Sequence, residues 1–178
     1  MIKKLVLSTI LLFLVAVIAI LLFLPAIIDK QMNAVSEHEA FVVSEKAKQL
    51  HRTLVIGDWH ADSALWNRDL VQKYDYGHVD IPRMQQGNIG LQMFTTVTKS
   101  PAGQNYDRNE SSASDTITAL AIVQRWPLKT WNSLTERALF QAKKIIDLAK
   151  RDSENFMLIE SQDDLARWKE RRIANPLL

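Results

Sequence analysis

The sequence predicts an α/β fold: a parallel sheet with crossover helices, of the kind that opens a (β/α) barrel, preceded by one transmembrane helix. Three observations predict it. An apolar run, Leu5 to Leu24, is broken only by Ser8 and Thr9. A β-branched run, Thr53-Leu54-Val55-Ile56, reads as a buried strand and ends in the polar cluster Asp58, His60 and Asp62. Beyond it, strand-like apolar runs alternate with segments of helical periodicity.

The chain divides into residues 1–28 as an amino-terminal anchor, 29–52 as a juxtamembrane helical linker, and 53–178 as the barrel portion. The apolar run holds about 20 residues, enough to cross a bilayer as a helix. Lys3 and Lys4 precede it, so the amino terminus should stay cytoplasmic and the rest should lie outside, in a periplasmic or extracellular space. A cleaved signal peptide is the alternative. The run is long for one, and Pro25-Ala26 is a poor cleavage site. In the linker, Ser36 and Glu39 resemble a capping box, followed by Ala40, Val43, Ala47 and Leu50 at helical spacing.

Ser63 to Tyr74 reads as short helical or irregular structure. Asp80 caps a short helix at Pro82, and Ile89 to Val97 alternates well enough for a second strand. A polar loop from Lys99 to Ser114 leads to a helix at Asp115–Trp126, which Pro127 ends. Leu134 to Lys150 is the strongest helical pattern of the soluble part. Phe156 to Ile159 reads as a third strand, and Ser161 caps a last helix from Asp163 to about Arg172.

Composition excludes several classes. Lys and Arg total 22 against 20 for Asp and Glu, a net charge of +2, with no basic stripe suited to nucleic acid. There is no cysteine, so disulfides and thiolate metal sites are excluded.

The candidate metal ligands are His60 and Asp62. Two apart on a strand, they face the same side at its carboxyl end, and an imidazole and a carboxylate so placed can share one divalent ion. His78 and Asp80 form a second His-x-Asp triplet. It does not sit on a buried strand, and Asp80 is read as the helix cap. His38 and His51 are read as solvated helix residues. Asn109-Glu110-Ser111 fits a glycosylation acceptor only in a eukaryotic secretory chain.

Two blocks resemble the renal, or membrane, dipeptidase family. Leu54-Val55-Ile56-Gly57-Asp58-Trp59-His60-Ala61-Asp62 is similar to its first strand, which carries a D-G-H-x-D type motif, although Gly57 here precedes Asp58 and Trp59 replaces a small residue. His78-Val79-Asp80-Ile81-Pro82-Arg83-Met84, with Gly87, Gly90 and Gln92-Met93-Phe94, is similar to its next block, H-T-D-I-P-R-L followed by G-x-x-G-x-Q-F. The loop at Asn105–Asn109 also looks like the family's bacterial members.

The resemblance implies a TIM-type, metal-dependent hydrolase barrel, (β/α)8, that cleaves dipeptides with two zinc ions. His60 and Asp62 would be ligands of one zinc. The bridging carboxylate of an I-E-G type motif and further histidines come later in the family. Glu160 is assigned to structure, because Ser161–Leu165 resembles the segment upstream of that motif. No catalytic residue is assigned, and the substrate-binding residues are unknown. The chain is thus expected to be an incomplete piece of a membrane-anchored dipeptidase, weak in zinc binding, inactive by itself and poorly soluble as residues 30–178. The alternative is a non-catalytic, membrane-anchored binding domain. Another amidohydrolase-type barrel would carry H-x-H, where Asp62 stands instead. The expected partners are a dipeptide and the membrane, with a homodimer allowed and no nucleic acid.

Overall fold

The computed structural model describes residues 2–174. Asn175 to Leu178, which close the expected barrel portion, lie outside the described residues. Six helices and two strands follow in order: α1 (Ile2–Met32), α2 (Glu45–Thr53), β1 (Ile56–Ala61), α3 (Ile81–Gln86), β2 (Ile89–Phe94), α4 (Thr116–Val123), α5 (Leu134–Arg151) and α6 (Gln162–Ala174).

β1 and β2 pair in parallel, joined by a crossover that contains α3. Parallel pairing needs such a crossover, because a tight turn can only reverse the chain. The pairing is irregular. From Ile56 to Gly57 β1 takes one step while β2 goes from Ile89 to Leu91, so Gly90 is extra. From Asp58 to Ala61 β1 takes three steps while β2 takes two, from Gln92 to Phe94, so β1 bulges beside His60. Among the described residues these two strands are the whole sheet.

Two apolar clusters hold the domain. Ala64, Leu70, Ile81, Ile145 and Leu148 form one, with Phe94, Phe156 and Leu158 against it. Leu65, Trp66, Ile117, Ala121 and Trp126 form the other, with Ile28 and Phe140 against it. A 3₁₀ turn, Ser63–Leu65, sits between the clusters with all three residues buried. It therefore fixes the chain directly after β1. Arg137 of α5 is also buried. It donates to the carbonyls of Thr98 and Thr130 at 2.7 Å, pairs with Asp115 and bonds the Thr118 hydroxyl. Every donor of that guanidinium is directed at an acceptor, which is what burial of a charge requires.

Four sequence expectations need correction. The first strand starts at Ile56, not Thr53. Thr53 ends α2, and Leu54 and Val55 are exposed. β1 is only partly buried, and among the described residues β2 covers one edge while no strand covers the other. The linker helix starts at Glu45: Ser44, not Ser36, is its N-cap, accepting from the Ala47 N–H at 3.2 Å, and residues 34–43 are irregular. The exposed pair Val42-Val43 has no packing to offset the side-chain freedom a helix would remove. β2 ends at Phe94 rather than Val97. Phe156 to Ile159 has no regular structure and forms no ladder. Phe156 instead stacks edge to face on Phe94 at 5.9 Å, and a groove of about 480 Å³ lies between this segment, β2 and α6. Trp168 and Arg172 of α6 pack on Gly90, where β2 has no side chain to exclude them.

α1 runs past the apolar stretch and docks its last turns on the domain. Pro25 and Asp29 are buried there. It is long and apolar enough to cross a membrane, a property it shares with signal sequences.

Candidate metal centre

β1 delivers His60, and the turn after it delivers Asp62. Asp62 has already left the strand, with φ −87° and ψ 22°, so the pair meets through a turn rather than by strand alternation alone. The β1 bulge frees the His60 N–H from the ladder, and the Asp58 carboxylate accepts it at 3.2 Å. Asp58 thereby shapes the backbone and does not join the pair. Bulges of this kind re-aim a side chain beside a functional site.

The His60 Nε2 and the Asp62 Oδ2 stand 3.2 Å apart, with the side chains 71% and 40% exposed. The other Asp62 oxygen accepts from the Thr95 hydroxyl, and the Thr95 N–H donates to the Ala61 carbonyl at 3.0 Å. Asp62 is thus oriented by the residue that follows β2. The chain around the pair is braced in turn. Gln141 of α5 grips the Val97 backbone at both ends, accepting from its N–H at 3.1 Å and donating to its carbonyl at 2.9 Å. Lys144, on the same helix, donates to the carbonyls of Ala64 (2.8 Å) and Trp66 in the turn after Asp62. Burial pushes the Lys144 ammonium down to about 8, and the nearby Arg68 adds to it.

The structure does not bring the other flagged residues to this point. His38, His51 and His78 are exposed. The His38 ring bonds the neighbouring Glu39 carbonyl at 2.8 Å. Asp80 is buried as the N-cap of α3 and holds both the N–H and the guanidinium of Arg83. Burial alone would raise its pKa, but those bonds and the Tyr74 N–H more than offset it, so Asp80 stays below the usual carboxylate range. Glu160 is exposed at the entry to α6, its N–H on Asp164. Thr95, Gln141 and Lys144 carried no sequence signal. Each acts through tertiary contacts that no local pattern encodes.

Two ligands about 2.0 Å from a tetrahedral ion stand roughly 3.3 Å apart. The imidazole nitrogen and carboxylate oxygen match that edge, and both are donor types that zinc takes. Yet among the described residues no group of three or more His, Cys, Asp or Glu is gathered to hold a metal ion. The pair supplies two donors of the kind such an ion takes.

Residues 44–177 match the family model described as Membrane dipeptidase (Peptidase family M19). The chain belongs to the membrane dipeptidase family. Membrane dipeptidases are hydrolases whose family is zinc-dependent in general. No curated protein and no solved structure matches the chain. The matched span takes in α2 through α6, including β1 and the His60–Asp62 pair.

Proposed function

We propose that this chain is the amino-terminal part of a membrane-anchored zinc dipeptidase, with His60 and Asp62 as the first two metal ligands of a (β/α)8 barrel. The observation that carries this is the 3.2 Å approach of the two groups at the carboxyl end of a parallel strand, where barrel active sites sit. His60 would bind through a neutral Nε2. Asp62 would bind ionised through Oδ2, its Oδ1 being held by Thr95. The chemistry such an ion supplies is activation of water and polarisation of the peptide carbonyl. The chain's own contribution is to hold two ligands in register and to brace them through Thr95, Gln141 and Lys144.

α1 serves as an uncleaved single-pass span with the domain on the non-cytoplasmic side. Lys3 and Lys4 support that direction, and the docking of Pro25 and Asp29 supports retention of the helix. Two ligands fall short of the three that a catalytic zinc usually has. The remaining ligands therefore belong to later barrel elements, and the chain by itself is not hydrolytic. Calorimetry on the whole chain in detergent tests this: zinc should bind with a Kd weaker than about 1 μM, since each missing ligand forfeits binding energy. Submicromolar zinc affinity, or cleavage of a dipeptide with a D-residue at its carboxyl side, would overturn it.

The absence of a third ligand among the described residues favours one second reading, a non-catalytic membrane-attached binding domain. A reading frame that continues past Leu178 into an I-E-G type motif and further histidines decides for the enzyme; a stop codon there decides for the binding domain.

A further inference from the structure

The foot of α1 is built into the domain at several points along one stripe. Asp29 pairs with Arg68 at 3.1 Å, both side chains 3% exposed. The Asn33 carbonyl accepts from the Gly77 N–H at 2.7 Å, and Lys30 pairs with Asp75 at 2.7 Å. The Pro25 carbonyl accepts from Gln124 Nε2 at 3.1 Å, and Asn67 holds the Gln124 carbonyl at 2.6 Å. A helix gripped over more than two turns cannot swivel, so α1 fixes which face of the domain meets the bilayer.

The order of these contacts identifies that face. From Asn33 back toward the apolar run, the domain residues met are Gly77, then Arg68, then Gln124. The Gln124 contact is the nearest of these to the run, since its partner Pro25 is one residue from Leu24. At 1.5 Å per residue it lies within about one turn of the hydrocarbon boundary.

The chain directly after Gln124 is shaped unusually for an exposed corner. Trp126 N–H bonds the Ala121 carbonyl and Arg125 N–H the Ile122 carbonyl, a Schellman closure with Arg125 at φ 56° where glycine is usual. Trp126 folds back into the core. Arg125, Pro127, Leu128 and Lys129 turn outward. Leu128 is 73% exposed and Ile122 is 44% exposed. Lys129 pairs with Glu136 at 2.6 Å, which leaves Arg125 as the main uncompensated charge of the corner.

We propose that this corner, Ile122 to Lys129, is a second membrane contact: Leu128 and Ile122 enter the interface beside the α1 span, and Arg125 meets anionic headgroups, joined by Lys129, whose side chain stays 65% exposed beside Glu136. The proposal rests on the reading of α1 as a membrane span. Apolar side chains flanked by Lys and Arg suit the headgroup–acyl boundary, where basic residues are drawn to anionic lipid. It explains why two apolar side chains are left uncovered at the point of the domain closest to the run.

The chain has no cysteine, so single labels report cleanly. The whole chain would carry an environment-sensitive fluorophore through Leu14→Cys, Leu128→Cys or Tyr106→Cys, in phosphatidylcholine vesicles with and without phosphatidylglycerol. Tyr106 is fully exposed in the loop tied by Ser100 and Asp115 to the opposite end of α4, away from Gln124. Nitroxide lipids should quench the Leu14 label from deep positions. They should quench the Leu128 label from shallow positions several-fold more than the Tyr106 label. Arg125→Gln with Lys129→Gln should reduce the Leu128 quenching in phosphatidylglycerol vesicles only. A quenched Leu14 label with equal Leu128 and Tyr106 signals overturns the second contact and leaves the span standing. An unquenched Leu14 label removes the span and the contact with it. Leu128 is exposed, so its replacement leaves the core intact.

Discussion

Two side-chain pairs of nearly equal length differ in everything else. Asp29 and Arg68 meet at 3.1 Å inside the docked foot of α1, while His60 and Asp62 meet at 3.2 Å in the open at the end of β1. The first pair has lost its water, so each partner depends on the other. An exposed pair typically contributes only about 0–1 kcal/mol. The fold therefore gains little from His60 and Asp62, and a pair so placed is available for a ligand. Length alone separates nothing here; solvent decides which pair is structural.

The largest test of that contrast is to break the buried pair. Asp29→Ala strands the Arg68 guanidinium in the domain and should cost about 3–5 kcal/mol, read as a lowered midpoint of thermal unfolding in detergent. Replacing both partners by apolar residues, Asp29→Leu with Arg68→Met, should restore most of the loss, because no unpaired charge remains. A single variant that melts like the parent would show that the foot of α1 is not part of the folded unit. Gly77→Ala comes next. Gly77 sits at φ 74°, and an added Cβ would overlap the Arg68 guanidinium. The left-handed strain and the displaced arginine together should cost about 2–3 kcal/mol. Gly103→Ala is the control: it has a similar φ of 73° and open space around it, so it should cost only the strain.

Asp115 offers a smaller effect with a defined pH window. Burial opposes its ionisation, but Arg137, the Ser100 and Ile117 N–H groups and the Thr118 hydroxyl hold it at about 2. The folded carboxyl is more acidic than the unfolded one, so the unfolded chain binds the extra proton between about pH 2 and 4. Stability from this group is complete above that window and is lost as pH falls through it, about 2 kcal/mol in all. Urea midpoints measured at pH 6 and pH 3 should show the drop, and Asp115→Asn should flatten it.

What the sequence revealed follows the same division between local and tertiary causes. Asp80 capping α3 and the helices around α5 were legible, because caps and apolar periodicity are local. The His60–Asp62 spacing was legible for the same reason, although the turn that closes it was not. The start of α2 was hard to place because Ser36 and Ser44 offer similar capping signals, and only Ser44 makes the capping bond, to the Ala47 N–H. The third strand was misread because an apolar run fixes no hydrogen-bond partner. Phe156 found an aromatic partner in Phe94 without a ladder. Arg68 with Asp29 was invisible because the partners lie 39 residues apart.

The smallest effect on stability is expected where the effect on binding should be largest. His60→Ala removes a side chain that is 71% exposed and bonds only Asp62, so the unfolding midpoint should move by less than about 0.5 kcal/mol equivalent. Zinc heat on the same preparation should fall to the level of nonspecific binding, because one remaining carboxylate cannot hold the ion. The bulge should persist, since Asp58 bonds the backbone N–H of residue 60 and not its ring. Loss of zinc heat with an unchanged midpoint would mark His60 as a ligand and not a structural group. A large drop in the midpoint would place the exposed pair in the same class as Asp29 and Arg68, and the metal assignment would lose its basis.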